Sequence, residues 1–406
     1  MNTDWKKVAV VLVAAVVSPL VAFAQDPPSN VRMRIGPLYI NPTLSLTNAG
    51  KDTNVFNDSK DPQEDFTVTV SPGTDLWLRV GPTSVQGNIK EDIVWFQKFA
   101  SERSANNSYS LSWSVPLNRL NLRPTWSYTN SRDRPGYEID ARAEHTNVVY
   151  GASIDYRLFT KTSIGVDGRR ASTNFAEGTT FQGTDLHTEL SPVTTSAAVN
   201  IKHQLTPLTS LTVAGSLSQD RFKLDPARDT DSMAVTMSMR FDPAALLKGN
   251  VNIGYRDFKP ASPDLPGFKG STMAVDLAYT LLGMSKFAFN ANRDVQYSYD
   301  INQPYYVQTT LGGSVSQQIF GPVDVVVRGA TGRLEYRDRA GAVVAAANRV
   351  DRIQQYGGGL GYHLGRDMRV GVNADYSTRL SALDTRHYQG WTYGVAITYA
   401  TGAGGS

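Results

Sequence analysis

Two alternations run through this chain together, one in polarity and one in connection length. In residues 367–380, DMRVGVNADYSTRL, one parity holds Met368, Val370, Val372, Ala374 and Tyr376, and the other holds Arg369, Gly371, Asn373, Asp375, Ser377 and Arg379. A period of two marks a strand with one apolar and one polar face. The pattern returns in SYSLSWSV (Tyr109, Leu111, Trp113, Val115), SLTVAGSL (Leu211, Val213, Leu217), SMAVTMSMRF (Met233 to Phe241) and TMAVDLAYTL (Met273 to Leu281). Short connections rich in Pro, Gly and Asn lie at 79–83, 115–119, 158–162, 204–210, 241–249, 281–286, 320–324 and 364–368. Longer polar ones fall near 48–63, 100–106, 131–141, 174–184, 222–230, 259–270, 298–304, 338–350 and 380–388. Long and short swap strictly, so eight turns and nine loops predict eighteen strands.

A soluble sandwich does not sort its loops by length. A transmembrane barrel does, with short turns on one side, long loops on the other and an even strand number. Backbone groups left unpaired in lipid are too costly, so such a sheet must close on itself. The expected fold is therefore all-β, a transmembrane antiparallel up-and-down β-barrel of eighteen strands. No helical period interrupts it beyond a turn expected at PAALLKG, 243–249.

Mean hydropathy is −0.30 and hydrophobic residues make up 41%, which would suit a soluble protein unless one face of each strand meets lipid. Lys and Arg total 40 against 37 acidic residues, too even a balance to argue for nucleic acid. There is no cysteine, which removes disulfides and thiolate metal sites. At the N-terminus Lys6 and Lys7 precede the apolar run Val8–Val17, and Ala22–Ala24 precede Gln25, as in a cleavable export signal rather than a membrane anchor. The expected organisation is a signal peptide over 1–24 and a single barrel domain over 25–406.

Aromatic residues should form girdles on the lipid face. The last strand has Trp391, Tyr393 and Tyr399 on one parity with Val395 and Ile397 between them, and Trp113, Trp126, Tyr279 and Tyr362 are expected to join them. The opposite parity should line an aqueous lumen. There fall Asp155, Arg157, Asp167, Arg169, Lys202, Arg240 and Arg256, and further along Asp276, Asp294, Arg328, Arg369, Asp375 and Arg379. Two arginines, Arg293 and Arg333, land on the lipid parity near the long-loop ends, where an interface tolerates them. IVWF at Ile93–Phe96 is apolar on both parities and suggests a bulge or a lumen-facing aromatic. The first loop, NAGKDTNVFNDSKDPQED, is the expected constriction of the lumen.

No catalytic constellation emerges. His145, His187, His203, His363 and His387 are scattered, without metal spacing or a G-x-S-x-G turn. GGGLG at 357–361 lies within a strand, so its glycines relieve crowding rather than cradle a phosphate. No enzyme activity, metal or cofactor is expected.

The segments RIGPLYINPTLSLTNAGKDTNVFND and EDFTVTVSPGTDLWLRV, with the hairpins LTPLTSLTV and LFTKTSIGV, resemble a family of outer-membrane β-barrel porins encoded with exopolysaccharide biosynthesis systems. The resemblance runs over the mature chain. It implies a barrel in the bacterial outer membrane, in contact with outer-membrane lipid, that passes a hydrated secreted polysaccharide and works with periplasmic polysaccharide-export proteins. The alternatives are a general or small-solute diffusion porin, and a barrel that anchors surface polymer with its lumen blocked. Where such barrels end on an aromatic residue, this chain continues past Tyr399 with ATGAGGS.

Overall fold

A computed structural model describes residues 31–242, 245–365 and 367–400. The export signal of 1–24, the tail after Ala400 and part of PAALLKG lie outside the described residues. Eighteen long antiparallel strands, from Leu38–Asp52 to Tyr388–Ala400, pair with their sequence neighbours all the way round. The last strand pairs back onto the first, Leu44 opposite Tyr399 and Leu46 opposite Ile397, and the barrel closes. No strand edge is left to face lipid, the condition for a sheet to span a membrane. A three-residue strand, Met33–Ile35, folds back onto the start of the first.

Following cross-strand partners once round from the first strand returns about 22 residues out of register, a stagger that goes with strands tilted roughly 40° from the barrel axis. Eight short turns join the strands at one end and nine longer connections at the other, as the alternation of lengths predicts.

Boundaries shift where local chemistry overrides the turn signals. The first strand does not stop at Asn48 but runs on to Asp52. Asn48 takes a left-handed conformation (φ 52°), and the register slips there against both neighbouring strands, a bulge that lets pairing resume. Beyond it Gly50 lies so close to the backbone of Tyr393 and Gly394 that a β-carbon would have no room. Lys248 and Gly249, expected in a turn, already belong to the strand Leu247–Pro260. The loop expected at 174–184 continues to 191 and carries the two-residue strands Thr180–Phe181 and Thr184–Asp185 and a single helical turn, Leu186–Glu189. IVWF contains no bulge: Ile93 and Trp95 point outward, 50% and 38% exposed, while Phe96 is buried beside Val94 and Val55.

The apolar clusters of this protein all sit at the long-loop end. Elsewhere large apolar side chains such as Val199, Ile201, Val235 and Leu360 are more than half exposed and share the outer face. In lipid that exposure is burial.

Candidate functional site: the inner wall and the lid over its outer mouth

Register places all thirteen sequence-predicted polar residues on one face of the sheet. Asp155 lies opposite Gly165, Gly165 opposite Asn200, and so on round through Asp294, Leu334 and Asp351. It is the concave face, since its side chains reach one another over intervening strands. Arg328 grips Asp375 two strands away, with Nε 2.6 Å from Oδ1. The residue between them on the intervening strand is Gly357, partner of both. A β-carbon on Gly357 would collide with the Asp375 carboxylate and crowd the Arg328 guanidinium.

Gly361 plays the same part for a second pair. Arg369 gives Asp324 two hydrogen bonds, 2.8 and 2.6 Å, and His363 Nε2 approaches the same carboxylate at 2.7 Å. Any β-carbon at Gly361 would strike the Arg369 guanidinium. Gly165 likewise makes room for Asp155 and Asn200, whose amide donates to Asp167 at 2.6 Å. The GGGLG run is thus a window through which charged side chains two strands apart meet. Arg256 makes a similar pair with Asp294 at 3.0 Å. Arg157, Arg169, Lys202, Arg240 and Asp276 lie on this same face. Parity also places Arg123 and Asp324 here, two charges the sequence reading did not single out.

Arg379 shares the parity but not the setting. It is fully buried at the long-loop end, so it is not a water-facing wall group. A segment crosses the barrel mouth above it. Residues 134–142 leave the fifth and sixth strands, Leu120–Asp133 and Ala143–Phe159, and reach the inner face of the fourteenth to seventeenth, Tyr305–Phe320 to Met368–Leu380. The shorter way round from the fifth strand to the seventeenth is six strands, so this is a crossing and not a local contact.

Two arginines hold the crossing segment by its backbone. Arg379 Nη1 donates to the carbonyls of Tyr137 and Glu138, both at 3.0 Å, while its Nη2 donates to Asp351 at 2.5 Å. Arg386 donates to the Glu138 carbonyl and pairs with Asp140 at 2.9 Å. The Glu138 carboxylate receives Ser298 Oγ at 2.7 Å and the Tyr299 amide at 3.2 Å, with Arg349 at 3.9 Å. Burial pushes the Glu138 carboxyl above its ordinary value, outweighing these partners. Burial, with Arg134 nearby, lowers the Arg142 guanidinium to about 10. Apolar contacts complete the closure: Tyr137 packs on Tyr306, Leu334, Tyr336 and Ile353. Ile139 packs with Phe181, Leu186 and Tyr299.

A second element leans in. Pairing between Phe268–Leu281 and Ser285–Tyr297 ends at Met273 opposite Arg293, although the latter strand continues, paired on its other side, to Tyr297. Freed from the wall, Tyr297 turns inward, edge-on to Phe222 at 4.8 Å and donating to Asp220 at 2.6 Å. The loop after it meets the lid at Ser298 and Tyr299 and gives carbonyls to Arg228, which also pairs with Glu189 at 2.6 Å. The first long loop, expected to constrict the lumen, instead packs Val55 over Val94 and Phe96 on its own rim and offers a carbonyl to Arg134. Its polar composition gave no way to tell a rim cap from a crossing segment.

On the outer face Trp113, Tyr279, Tyr362 and Tyr399 lie toward the short-turn end, Trp391 and Tyr393 toward the long-loop end. Trp126 stands at mid-strand beside Leu111 and Tyr150 and belongs to neither band. The histidines do not gather: His145 bonds at the rim, His187 within its loop, His203 to Thr162, His387 to the Ser381 carbonyl. Among the described residues no three metal-binding side chains come together.

A closed barrel with an apolar exterior, a charged interior and long loops on one side is an outer-membrane β-barrel. Residues 26–400 match the family model described as "Putative beta-barrel porin 2", and the chain belongs to that porin family of the bacterial outer membrane. No curated protein sequence matches it. Among solved structures it is similar to the outer membrane protein OpdK from Pseudomonas aeruginosa, at 9% identity, TM-score 0.46, over 89% of this chain and 98% of that one. OccK9 (OpdG) of the same organism shows the same figures. The FrpB iron transporter from Neisseria meningitidis is 10% identical, TM-score 0.43, over 87% of this chain and 66% of that one. These likenesses are of fold alone.

Proposed function

We propose that this porin is a gated passive channel for small hydrophilic solutes, closed at its outer mouth by residues 134–142. The observation that carries this reading is the anchoring of that segment, across the whole mouth, by Arg379 and Arg386. In this reading Asp155, Asp167, Lys202, Arg240 and Asp276 face the passing solute, and the Arg328–Asp375 and Arg369–Asp324 pairs brace the wall behind it. Charges of both signs hydrate the path without selecting strongly for either sign. The channel does no covalent chemistry. Passage of a secreted polysaccharide, implied by the family resemblance, would need the lid and the infolded hairpin to swing aside together, and no geometric feature here favours a polymer.

The chain's lack of cysteine makes a thiol test clean. A β-carbon on Gly332 would stand 3.8 Å from the Tyr137 ring. The variant Tyr137→Cys/Gly332→Cys, reacted with a short bifunctional thiosulfonate, should tether the lid. In liposomes, swelling by monosaccharides should fall on cross-linking and return on reduction. Dextrans equilibrating as fast as monosaccharides would overturn the small-solute reading in favour of polymer passage. No solute flux with the tether absent would favour a blocked, anchoring barrel.

A further inference from the structure

Basic residues on the outer face near the long loops come with acidic partners almost everywhere. Lys51 pairs with Glu64, Arg221 with Asp231, and Lys259 and Lys269 both with Asp257. Arg132 stands opposite Glu144. One sector breaks this rule. Arg293, Arg333 and Arg352 stand in a single cross-strand row, linked through Thr309. Arg333 and Arg352 are direct partners, like charges face to face, an arrangement that destabilises a sheet unless an anion lies between them. Arg293 donates only to the Thr309 hydroxyl, at 2.5 Å. Arg352 has no polar partner among the described residues. Glu335 is the sector's one carboxylate, and it is shared between Arg333 at 2.9 Å and Arg337 at 3.5 Å.

The row's height is informative. Below Arg333 its strand presents Val323, Val325 and Val327 outward; below Arg352 come Tyr356, Leu360 and Tyr362; below Arg293 come Phe287 and Phe289. Arg333 lies ten residues above the start of its strand. With strands tilted about 40° and rising about 3.3 Å per residue, that is roughly 25 Å up, the height of the apolar band of such barrels. The row therefore meets the outer leaflet where fatty chains give way to headgroups.

We propose that Arg293, Arg333 and Arg352 form a binding site for the phosphate of an anionic lipid headgroup in the outer leaflet. Guanidinium forks suit phosphate oxygens, and three of them on one strand row can share one or two phosphates. The site is separate from the lumen, so it stands or falls independently of the gate.

The test is native mass spectrometry of the detergent-solubilised full barrel with bis-phosphorylated lipid A, its dephosphorylated form, and phosphatidylcholine. Wild type should retain the phosphorylated lipid at least tenfold more than either other. The variant Arg293→Gln/Arg333→Gln/Arg352→Gln should lose that preference. The control Lys51→Gln/Arg221→Gln/Lys259→Gln should keep it. Unboiled gel mobility and bilayer conductance report whether each variant is folded. Equal retention by the arginine variant, or of the dephosphorylated lipid, overturns the proposal. So does a cysteine at 333 that cross-links to a second copy in native membranes, which would make the row a protein interface.

Discussion

Replacing Arg379 with methionine keeps the length and apolar stem of the side chain and removes the guanidinium that fastens the lid. The lost contacts are two charged hydrogen bonds to the Tyr137 and Glu138 carbonyls, each 3.0 Å. Hydrogen bonds to charged groups contribute about 1.5–3 kcal/mol each, so lid docking should weaken by about 3–5 kcal/mol. Asp351, itself buried, would keep only Arg349 at 3.6 Å, and this strain bears on the closed state alone if opening hydrates the site. Since 1.4 kcal/mol is a factor of ten, the closed-to-open ratio should fall by about two to three orders of magnitude. In planar bilayers the variant should spend most of its time in a high-conductance state that wild type visits rarely, and liposome swelling should speed up. Arg386→Met should act in the same direction. If both variants run as folded barrels on unboiled gels yet keep wild-type conductance and swelling, residues 134–142 are not the gate.

Two further expectations follow from the same geometry. Because burial raises the Glu138 carboxyl in the closed lid, closure is most stable below the ordinary glutamate value of 4.5 and weakens as pH climbs through the raised one. Open probability should therefore increase with pH above that point, and Glu138→Gln, which cannot ionise, should flatten the dependence; a wild-type profile that falls with pH contradicts the assignment. At the wall, Gly357→Val forces a side chain into the Arg328–Asp375 contact. Overpacking of this kind costs about 1–3 kcal/mol, so the melting temperature should drop, whereas Gly358→Val on the outer parity, with 3.4 Å to the nearest heavy atom, should shift it far less.

How much of this was legible in residue order depends on the range of the interaction. Side-chain parity is a local property, set by the two-residue pleat, so Asp155, Lys202, Arg240 and Asp375 could be assigned to one face with no knowledge of their neighbours. Connection length is local too, and the alternation at Val80–Thr83, Leu117–Leu120 and Phe320–Val323 was enough to count eighteen strands. GGGLG showed that bulk was unwelcome inside a strand, but not that Gly357 and Gly361 stand between Arg328 and Asp375 or beside Arg369. That needs the register of three strands at once. Trp126 fell on the predicted face, but its height depended on strand tilt, which comes from the stagger accumulated round the whole barrel.

The lid lay furthest from reach. Residues 134–142 and the first loop are alike in polarity, and nothing in either names its destination. Glu138 meets Arg379 and Arg386 only because the barrel closes, bringing the fifth strand face to face with the seventeenth. The chain by itself determined the strands, their two faces and the sorting of loops, since backbone pleating and lipid act on each segment separately. Only the tertiary structure decided which loop crosses the mouth and which arginines hold it, because those contacts join residues some 240 positions apart and exist only once closure has set the diameter and stagger of the sheet.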